Sequence, residues 1–298
     1  MRISEIFKTK RVVYSFEVFP PKKTSSVETI YNTINALGDL HPDYISVTYG
    51  AGGDGGDKTC ELATLIKQKH GIEPLAHITC INSNKQQVKD TLEEFKRSGI
   101  ENVLALRGDR ALDMPVQTDF RYASDLVRFI RTHSDFGIAG ACYPEGHPEC
   151  DFLEKDIEHL KHKVDMGITH LNSQLFFDND DFYRFLDLIR RKGITVPVQA
   201  GIMPVSNTKQ IERMVSMTGA KLPGKFSRII ARYGHNPQAL RDAGIAYATE
   251  QIIDLVASGV DGIHLYTMNQ PLIAHKITES IASLLEDSNQ NESETPMV

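Results

Sequence analysis

The chain has 298 residues, with 33 basic against 39 acidic side chains and a formal net charge of −6. This balance gives no basic footprint for nucleic acid, so nucleic acid is excluded as a partner. Residues 1–19 contain no apolar signal-peptide core, and no apolar stretch has the length of a transmembrane helix. The four cysteines have no metal-ligand spacing and are expected to be buried thiols. We therefore predict a cytoplasmic protein with no membrane insertion and no metal.

Short apolar runs alternate along the chain with stretches of helical periodicity. The predicted strands are 12–19, 44–50, 74–80, 102–109, 137–145, 170–178, 196–204 and 261–269. The predicted helices are 26–40, 58–69, 85–99, 121–133, 152–166, 179–192, 207–217, 237–258 and 272–285. In 85–99, for example, Val88, Leu92 and Phe95 share one face while charged residues occupy the other.

Alternation of strands with helices predicts parallel βαβ units with right-handed crossovers. Eight such units favour an α/β fold closed as a (β/α)₈ TIM barrel, with an open doubly wound sheet as the alternative. We expect one catalytic domain over residues 1–285. Residues 286–298 lack a hydrophobic face and are predicted to form a disordered tail.

Polar residues stand at the ends of most predicted strands. The carboxyl ends of barrel strands form the active-site face, so these residues would meet there. They are Glu17, Thr48, His77, Arg107, Asp109, Tyr143, Glu145, His147, Gln174, Tyr266 and Asn269. Many such residues are ordinary loop polars, but several of these lie within apolar runs, where an unpaired polar group is costly.

Glu17 lies between Phe16 and Phe19 at the end of the first predicted strand. Burial between apolar neighbours disfavours a charged carboxylate, which predicts a raised pKa and suits a general acid. The alternative is a structural glutamate held in an ion pair. Thr48 is placed to tune the carboxyl group through a hydrogen bond.

Three other segments suit a ligand. Residues 50–59 are glycine-rich and match neither a Walker A motif nor GxGxxG, so they indicate a ligand cradle or a tight turn. Arg107 presents a donor fork that suits phosphate, and Asp109 could accept from a heterocycle. Tyr143 and His147 offer rings for stacking, with a metal site as the weaker interpretation of the same histidine.

The ordered motifs together resemble a known enzyme family. They are FEVFPP, SVTYGAGG, HITC, LALRGD, YASDLV, YPEGHPE, LKHKVDMG, QLFFD, GIMPVSN and HLYTMN. Over about residues 11–285 they resemble the bacterial, single-domain methylenetetrahydrofolate reductases, which are (β/α)₈ barrels holding FAD at the strand carboxyl ends.

This resemblance implies a ping-pong reaction in one-carbon metabolism and methionine biosynthesis. NADH or NADPH reduces FAD and leaves, and 5,10-methylenetetrahydrofolate then accepts the hydride and becomes 5-methyltetrahydrofolate. Glu17 matches the family's general acid, which protonates folate N10 and opens the imidazolidine ring. Asp109 matches an aspartate that holds the pterin and stabilises the resulting iminium cation.

The resemblance also assigns binding residues. The implied FAD contacts are Thr48, His77, Arg107, Gly108, Asp109, Tyr122, Ala123, Tyr143, His147, Asp156 and Lys163. The implied substrate contacts are Gln174, Thr208, Tyr266 and Gln270. Thr208 stands where many relatives carry an aromatic residue, which removes stacking worth ~1 kcal/mol. Gln270 stands where many carry arginine, which weakens attraction to the anionic folate tail.

These departures leave the electron donor open between NADH, NADPH and a redox partner subunit. Two further functions stay as alternatives: a pterin-binding methyltransferase-type barrel without flavin, and a flavin- or folate-binding subunit without turnover. Glu17 argues against the second, because simple binding does not require a desolvated acid. We also expect a homo-oligomer.

Overall fold

The computed structural model describes residues 1–21, 27–49, 55–109 and 119–290. Its strands are β1 (Val13–Val18), β2 (Tyr44–Val47), β3 (Glu73–Thr79), β4 (Asn102–Leu106), β5 (Gly137–Cys142), β6 (His170–Ser173), β7 (Val198–Ile202) and β8 (Gly262–Tyr266). They form a closed parallel barrel in chain order, and β1 completes the ring by pairing with both β2 and β8. The predicted (β/α)₈ barrel is confirmed, and the open sheet is excluded.

The described residues form helices between and around these strands. They are α1 (Ile3–Thr9), α2 (Val27–Gly38), α3 (Gly55–His70), α4 (Lys85–Arg97), α5 (Ala123–His133), α6 (Leu153–Asp165), α7 (Asn179–Arg191), α8 (Thr208–Thr218), α9 (Gly224–Tyr233), α10 (Pro237–Ala257) and α11 (Pro271–Gln290). The sequence did not predict α1 or α9. Both are short, and α9 buries only Phe226, so neither has a long apolar stripe.

Alternation along β1 shows how the barrel divides its side chains. Tyr14, Phe16 and Val18 belong to the large apolar cluster that packs the strands against the surrounding helices. Val13, which precedes them at the start of the strand, belongs to a smaller cluster inside the barrel, which Ile3 of α1 closes at the amino end. Successive side chains of a strand point to opposite faces, so Glu17 points into the barrel at its carboxyl end.

The predicted tail begins too early. Helix α11 continues through Gln290, and Asn289 ties it to the start of β1, because its side-chain amide accepts from Val12 N at 2.9 Å and donates to Val12 O at 3.1 Å. Tail disorder is therefore wrong for 286–290, while 291–298 lie outside the described residues.

Within residues 1–21, 27–49, 55–109 and 119–290, no helix combines enough length with enough apolar character to cross a membrane.

Candidate active site

The carboxylate of Glu17 lies inside the barrel mouth among polar groups from three neighbouring strands. Its Oε2 is 3.5 Å from His77 Nε2, 3.5 Å from Ser46 Oγ and 3.8 Å from His264 Nε2. Strand register explains the meeting, because Glu17 pairs with Ser46 on one side and with Tyr266 on the other. The structure thus brings a carboxylate, two imidazoles and a hydroxyl to one point.

The pKa of Glu17 differs in direction from the sequence prediction. Burial raises this pKa, but the polar contact with His264 and the charges of His77 and His264 outweigh burial. The pKa of Glu17 is therefore lowered from its usual 4.5, and the predicted raised pKa is wrong. Burial also lowers the pKa of His77 to about 4, although the charge of Glu17 opposes this shift.

The backbone around Glu17 is held by the segment after β8. Thr267 Oγ1 donates to Glu17 O at 2.7 Å. Asn269 Oδ1 accepts from Phe19 N at 3.1 Å, and its Nδ2 donates to Phe19 O at 2.8 Å. Asn269, which the sequence placed at the mouth, therefore fixes the exit of β1 and the direction in which Glu17 points.

His264 was not among the predicted site residues. Its Nδ1 lies 2.7 Å from Ser15 Oγ, which in turn accepts from Gln199 Nε2 at 3.0 Å. These two contacts orient the His264 ring so that its Nε2 lies 3.4 Å from Ser46 Oγ and 3.8 Å from Glu17 Oε2. A signal existed in the sequence, because His264 lies two residues before Tyr266 and so shares its inward face.

The hydroxyl beside Glu17 belongs to Ser46 rather than to Thr48. Thr48 binds through its backbone, with its N donating to Val18 O at 3.0 Å and its O accepting from Thr59 Oγ1 at 3.0 Å. Among the interactions of the described residues, none joins the Thr48 side chain to Glu17. The strand register explains the error, because Ser46 is level with Glu17, whereas Thr48 lies two residues further along the chain, beyond the end of β2.

A cleft of about 620 Å³ opens between the ends of β4 and β5 and helices α5 and α6. It gathers most of the predicted cofactor contacts in one place. These are Arg107, Tyr122, Ala123, Tyr143, His147, Asp156 and Lys163. Residues from the end of β4 to α6 thus share one wall, because β4 and β5 are adjacent strands of the barrel.

The two cations of the cleft that suit a phosphate, Arg107 and Lys163, both have protein partners. Arg107 donates from both terminal nitrogens to Glu149, at 2.5 and 2.7 Å. Lys163 Nζ donates to Ala141 O at 2.5 Å, and burial lowers its pKa. His147 N donates to Asp156 Oδ2 at 3.1 Å, which fixes the loop against α6.

The aromatic groups of the cleft stand next to these charges. The rings of Tyr143 and His147 are 4.6 Å apart at 70°, so they meet edge to face. Burial raises the pKa of the Tyr143 phenol to about 12. The cleft therefore combines two cations with the face of a neutral phenol, which suits a phosphate-bearing planar ligand.

The remaining predicted cofactor contacts lie outside this cleft. Thr48 and His77 are at the barrel mouth with Glu17. Gly108 adopts a left-handed φ of 79°, and a Cβ there would lie 2.9 Å from the side chain of Thr79. This turn leaves Asp109 exposed, with its backbone oxygen accepting from Asn82 Nδ2 at 2.8 Å. Residues 50–54 of the glycine-rich loop and 110–118 beside Asp109 lie outside the described residues.

The predicted substrate contacts already have partners. Tyr266 donates its hydroxyl to Ser173 O at 2.7 Å, and Gln174 Oε1 accepts from Leu175 N at 2.9 Å. Gln270 Nε2 donates to Ser206 Oγ at 3.3 Å, and Thr208 Oγ1 donates to Gly234 O at 3.5 Å. Burial raises the pKa of Tyr266 well above 10, so its phenol is neutral.

The cysteines divide into two kinds. Cys60, Cys80 and Cys142 are buried as predicted, whereas Cys150 is partly exposed in the cleft wall. Cys150, Asp156 and His159 place their ligand atoms within 4.8 Å of one another. The expectation that the cysteines are buried thiols is therefore wrong for Cys150.

The fold and this mouth define a TIM-barrel enzyme. The family model described as methylenetetrahydrofolate reductase matches residues 2–282. A 5,10-methylenetetrahydrofolate reductase of Pectobacterium carotovorum subsp. carotovorum is 34% identical over 271 residues, covering 91% of this chain and 90% of that protein. Methylenetetrahydrofolate reductase (NADH) 1 of Arabidopsis thaliana is 37% identical over 283 residues, covering 90% of this chain and 48% of that protein. The chain belongs to the methylenetetrahydrofolate reductase family and is an oxidoreductase.

Solved structures support the fold. An uncharacterized protein from Clostridium thermocellum that binds two copies of 5-methyl-5,6,7,8-tetrahydrofolic acid aligns with a TM-score of 0.64 at 14% identity, covering 97% of this chain and 99% of that one. Oxaloacetate acetylhydrolase aligns with a TM-score of 0.53 at 13% identity, covering 96% and 86%. At such low identity these likenesses describe the barrel alone.

Proposed function

We propose that this protein reduces 5,10-methylenetetrahydrofolate to 5-methyltetrahydrofolate, with FAD as its cofactor, NADH or NADPH as electron donor, and Glu17 as general acid. The observation that carries the proposal is the position of the Glu17 carboxylate at the mouth of a barrel of this family, within 3.8 Å of two histidines and a serine. Ring opening of the substrate needs a proton at folate N10, and this carboxyl is placed to hold it.

The residues of the cleft fit FAD. Arg107 and Lys163 supply positive charge for a pyrophosphate, and Tyr143 supplies a neutral ring for a planar group. Arg107 would exchange its bidentate contact with Glu149 for a phosphate, which accepts the same donor fork. When bound, FAD would carry a hydride between the nicotinamide and the folate.

Because the pKa of Glu17 is lowered, its carboxylate must take up a proton in the substrate complex before it can act as an acid. The Glu17 side chain is 18% exposed, so water still solvates the carboxylate. A pterin covering the mouth would remove that water, and desolvation raises the pKa of a carboxyl group. The burial that already acts on Glu17 would then outweigh the histidines, and the proton would sit 
next to N10.

On the substrate side, the proposal assigns each residue one task. Tyr266 and Gln174 would border the pterin at the ends of β8 and β6, and Asp109, in the loop after β4, would supply a negative charge that favours the iminium cation. Thr208 and Gln270 replace an aromatic platform and an arginine, so we expect weak binding of the folate tail. A redox partner subunit would replace the nicotinamide if neither nucleotide reduced the flavin.

Anaerobic spectroscopy of the bound flavin tests the proposal. In the wild-type protein, NADH or NADPH should bleach the absorbance of the bound flavin, and methylenetetrahydrofolate should restore it. In Glu17→Gln the bleaching should persist while reoxidation falls by about 10²–10⁴-fold. Glu73→Gln is the matched control, because Glu73 is also a little-exposed barrel glutamate but starts β3 at the opposite end. A colourless protein, or equal loss of both half-reactions in Glu17→Gln, would contradict the proposal.

A further inference from the structure

We propose that Cys150, Asp156 and His159 form a binding site for Zn²⁺ on the wall of the cleft. The three ligand atoms, a thiol sulfur, a carboxylate oxygen and an imidazole nitrogen, lie within 4.8 Å of one another. No step of the reduction uses Cys150 or His159. The proposal therefore adds a function to this wall that the folate chemistry does not require.

The backbone holds the three residues in register. Asp156 and His159 stand three residues apart on α6, so they share one face of the helix. Cys150 lies just before the helix, where its N donates to His147 O at 2.8 Å. His147 N donates in turn to Asp156 Oδ2 at 3.1 Å, so the loop that carries Cys150 is tied to Asp156 itself.

The ligand types select the metal. A thiolate and an imidazole favour Zn²⁺ over Mg²⁺ or Ca²⁺, which prefer oxygen ligands. Zinc–ligand bonds of about 2.0–2.3 Å place tetrahedral ligand atoms about 3.5 Å apart. The atoms must therefore close by about 1 Å, which rotation of the exposed His159 side chain and the partly exposed Cys150 allows.

The negative charge of the ligands and their position on the open cleft both allow Zn²⁺ to bind from solution. A thiolate and a carboxylate together carry two negative charges, which a divalent cation neutralises. Cys150, Asp156 and His159 all line the open cleft. Three protein ligands leave the fourth tetrahedral position to water.

The site shares Asp156 and its cleft with the proposed flavin site, so the two ligands are expected to compete. This consequence rests on the proposed function, whereas zinc binding does not. Zinc bound between Cys150 and α6 would draw the loop inward and occupy the carboxylate that faces the cleft. Zinc should then lower the affinity of the protein for FAD by tenfold or more.

Metal binding is measured on the full chain after chelator treatment, by calorimetry with Zn²⁺ and by absorbance with Co²⁺. We expect one Zn²⁺ per chain and a thiolate-to-cobalt charge-transfer band. Cys150→Ser should abolish the band, and Cys150→Ser and His159→Asn should each weaken Zn²⁺ binding at least tenfold. His162→Asn, an exposed histidine of the same helix and cleft, is the matched control and should bind Zn²⁺ like wild type.

Absence of one-to-one binding, or equal affinity in Cys150→Ser and wild type, would overturn the site. Circular dichroism confirms that each variant is folded. For the competition, FAD is titrated with and without saturating Zn²⁺, and an unchanged FAD affinity would overturn that consequence. A protein that binds no FAD in either titration would contradict the proposed function, while the cobalt spectrum would still decide the metal site.

Discussion

His264 Nε2 lies 3.8 Å from Glu17 Oε2, and the opposite ring nitrogen is anchored 2.7 Å from Ser15 Oγ. The polar contact with His264 is the largest of the effects that lower the pKa of Glu17. In the proposed reaction His264 would therefore be a positioning residue, which acts through the carboxylate of Glu17. The proton that the proposal assigns to folate N10 would then depend on how strongly His264 favours the charged form of Glu17.

We expect His264→Asn to raise the pKa of Glu17, because burial remains while the largest opposing contribution is removed. Loss of the proton from Glu17 limits the folate half-reaction at high pH, so the descending limb of its pH profile should move to higher pH. The measurement is the rate of flavin reoxidation by methylenetetrahydrofolate across the pH range.

His275→Asn is the control, because His275 is exposed on α11 and its ring lies near Glu279 of the same helix, 3.9 Å away. Its profile should match wild type. If the limb of His264→Asn stays where it is in wild type, His264 does not set the pKa of Glu17.

The contact between Glu17 and His264 also shows which features of the site can be predicted from the sequence and which cannot. Alternating strands and helices predicted the barrel, because burial repeats locally along the chain. Polar strand ends predicted the mouth, because closure brings all strand ends to one face. The pKa of Glu17 was predicted in the wrong direction, since its partners His77 and His264 come from β3 and β8 and their distances are set only by the register of the closed barrel.

The predicted end of the fourth strand and the predicted burial of Cys150 were wrong for a related reason. The strand after 102 ends at Leu106, because Gly108 turns the chain with a left-handed φ, so Arg107 and Asp109 belong to a loop. The sequence could not show that Cys150 faces α6, because helix and loop are joined by hydrogen bonds through His147. Such side-chain to backbone contacts have no periodic signature.

The buried histidines should make the protein less stable as the pH falls. Burial lowers the pKa of His77 to about 4 and that of His170 to about 3. The unfolded chain takes up protons near pH 6.5, but the folded state does not until much lower pH. Stability is therefore complete above about pH 6.5 and is lost as the pH falls toward 4, by up to ~3 kcal/mol for each histidine.

Urea unfolding at several pH values between these limits measures the effect. His170→Asn should reduce the slope of the free energy of unfolding against pH, because His170 is fully inside the barrel and touches no proposed ligand. His275→Asn, which removes an exposed histidine, should leave the slope unchanged. An unchanged slope in His170→Asn would mean that this ring is not held neutral by burial.

Gly201 in β7 makes room for Tyr266. A Cβ at this position would lie 2.2 Å from Ser173 O and 2.8 Å from Cε2 of Tyr266. Gly201→Ala should therefore lower the free energy of unfolding by ~1–3 kcal/mol, because Ser173 O is a backbone atom and cannot move aside unless the strand shifts. It should also displace the Tyr266 ring and lower the rate of the folate half-reaction.

Gly224→Ala is the control for Gly201→Ala. Its added Cβ would meet nothing closer than 3.6 Å, and it stands at the start of α9, where alanine favours the helix. Its free energy of unfolding should match or slightly exceed that of wild type. Equal stability of Gly201→Ala and Gly224→Ala would show that β6 and β8 move apart without cost.

The bidentate pair of Arg107 and Glu149 occupies the guanidinium donors that the pyrophosphate of the proposed FAD would use. Glu149→Gln keeps the shape of the side chain but removes the charge that holds the guanidinium. If Arg107 binds the pyrophosphate, the affinity for FAD should rise several-fold in Glu149→Gln and fall at least tenfold in Arg107→Gln. Arg121→Gln should bind FAD like wild type, because Arg121 is exposed outside the cleft. Flavin fluorescence titration of the apoprotein measures all four affinities. A loss of affinity in Glu149→Gln would mean that the carboxylate positions Arg107 for the cofactor instead of competing with it.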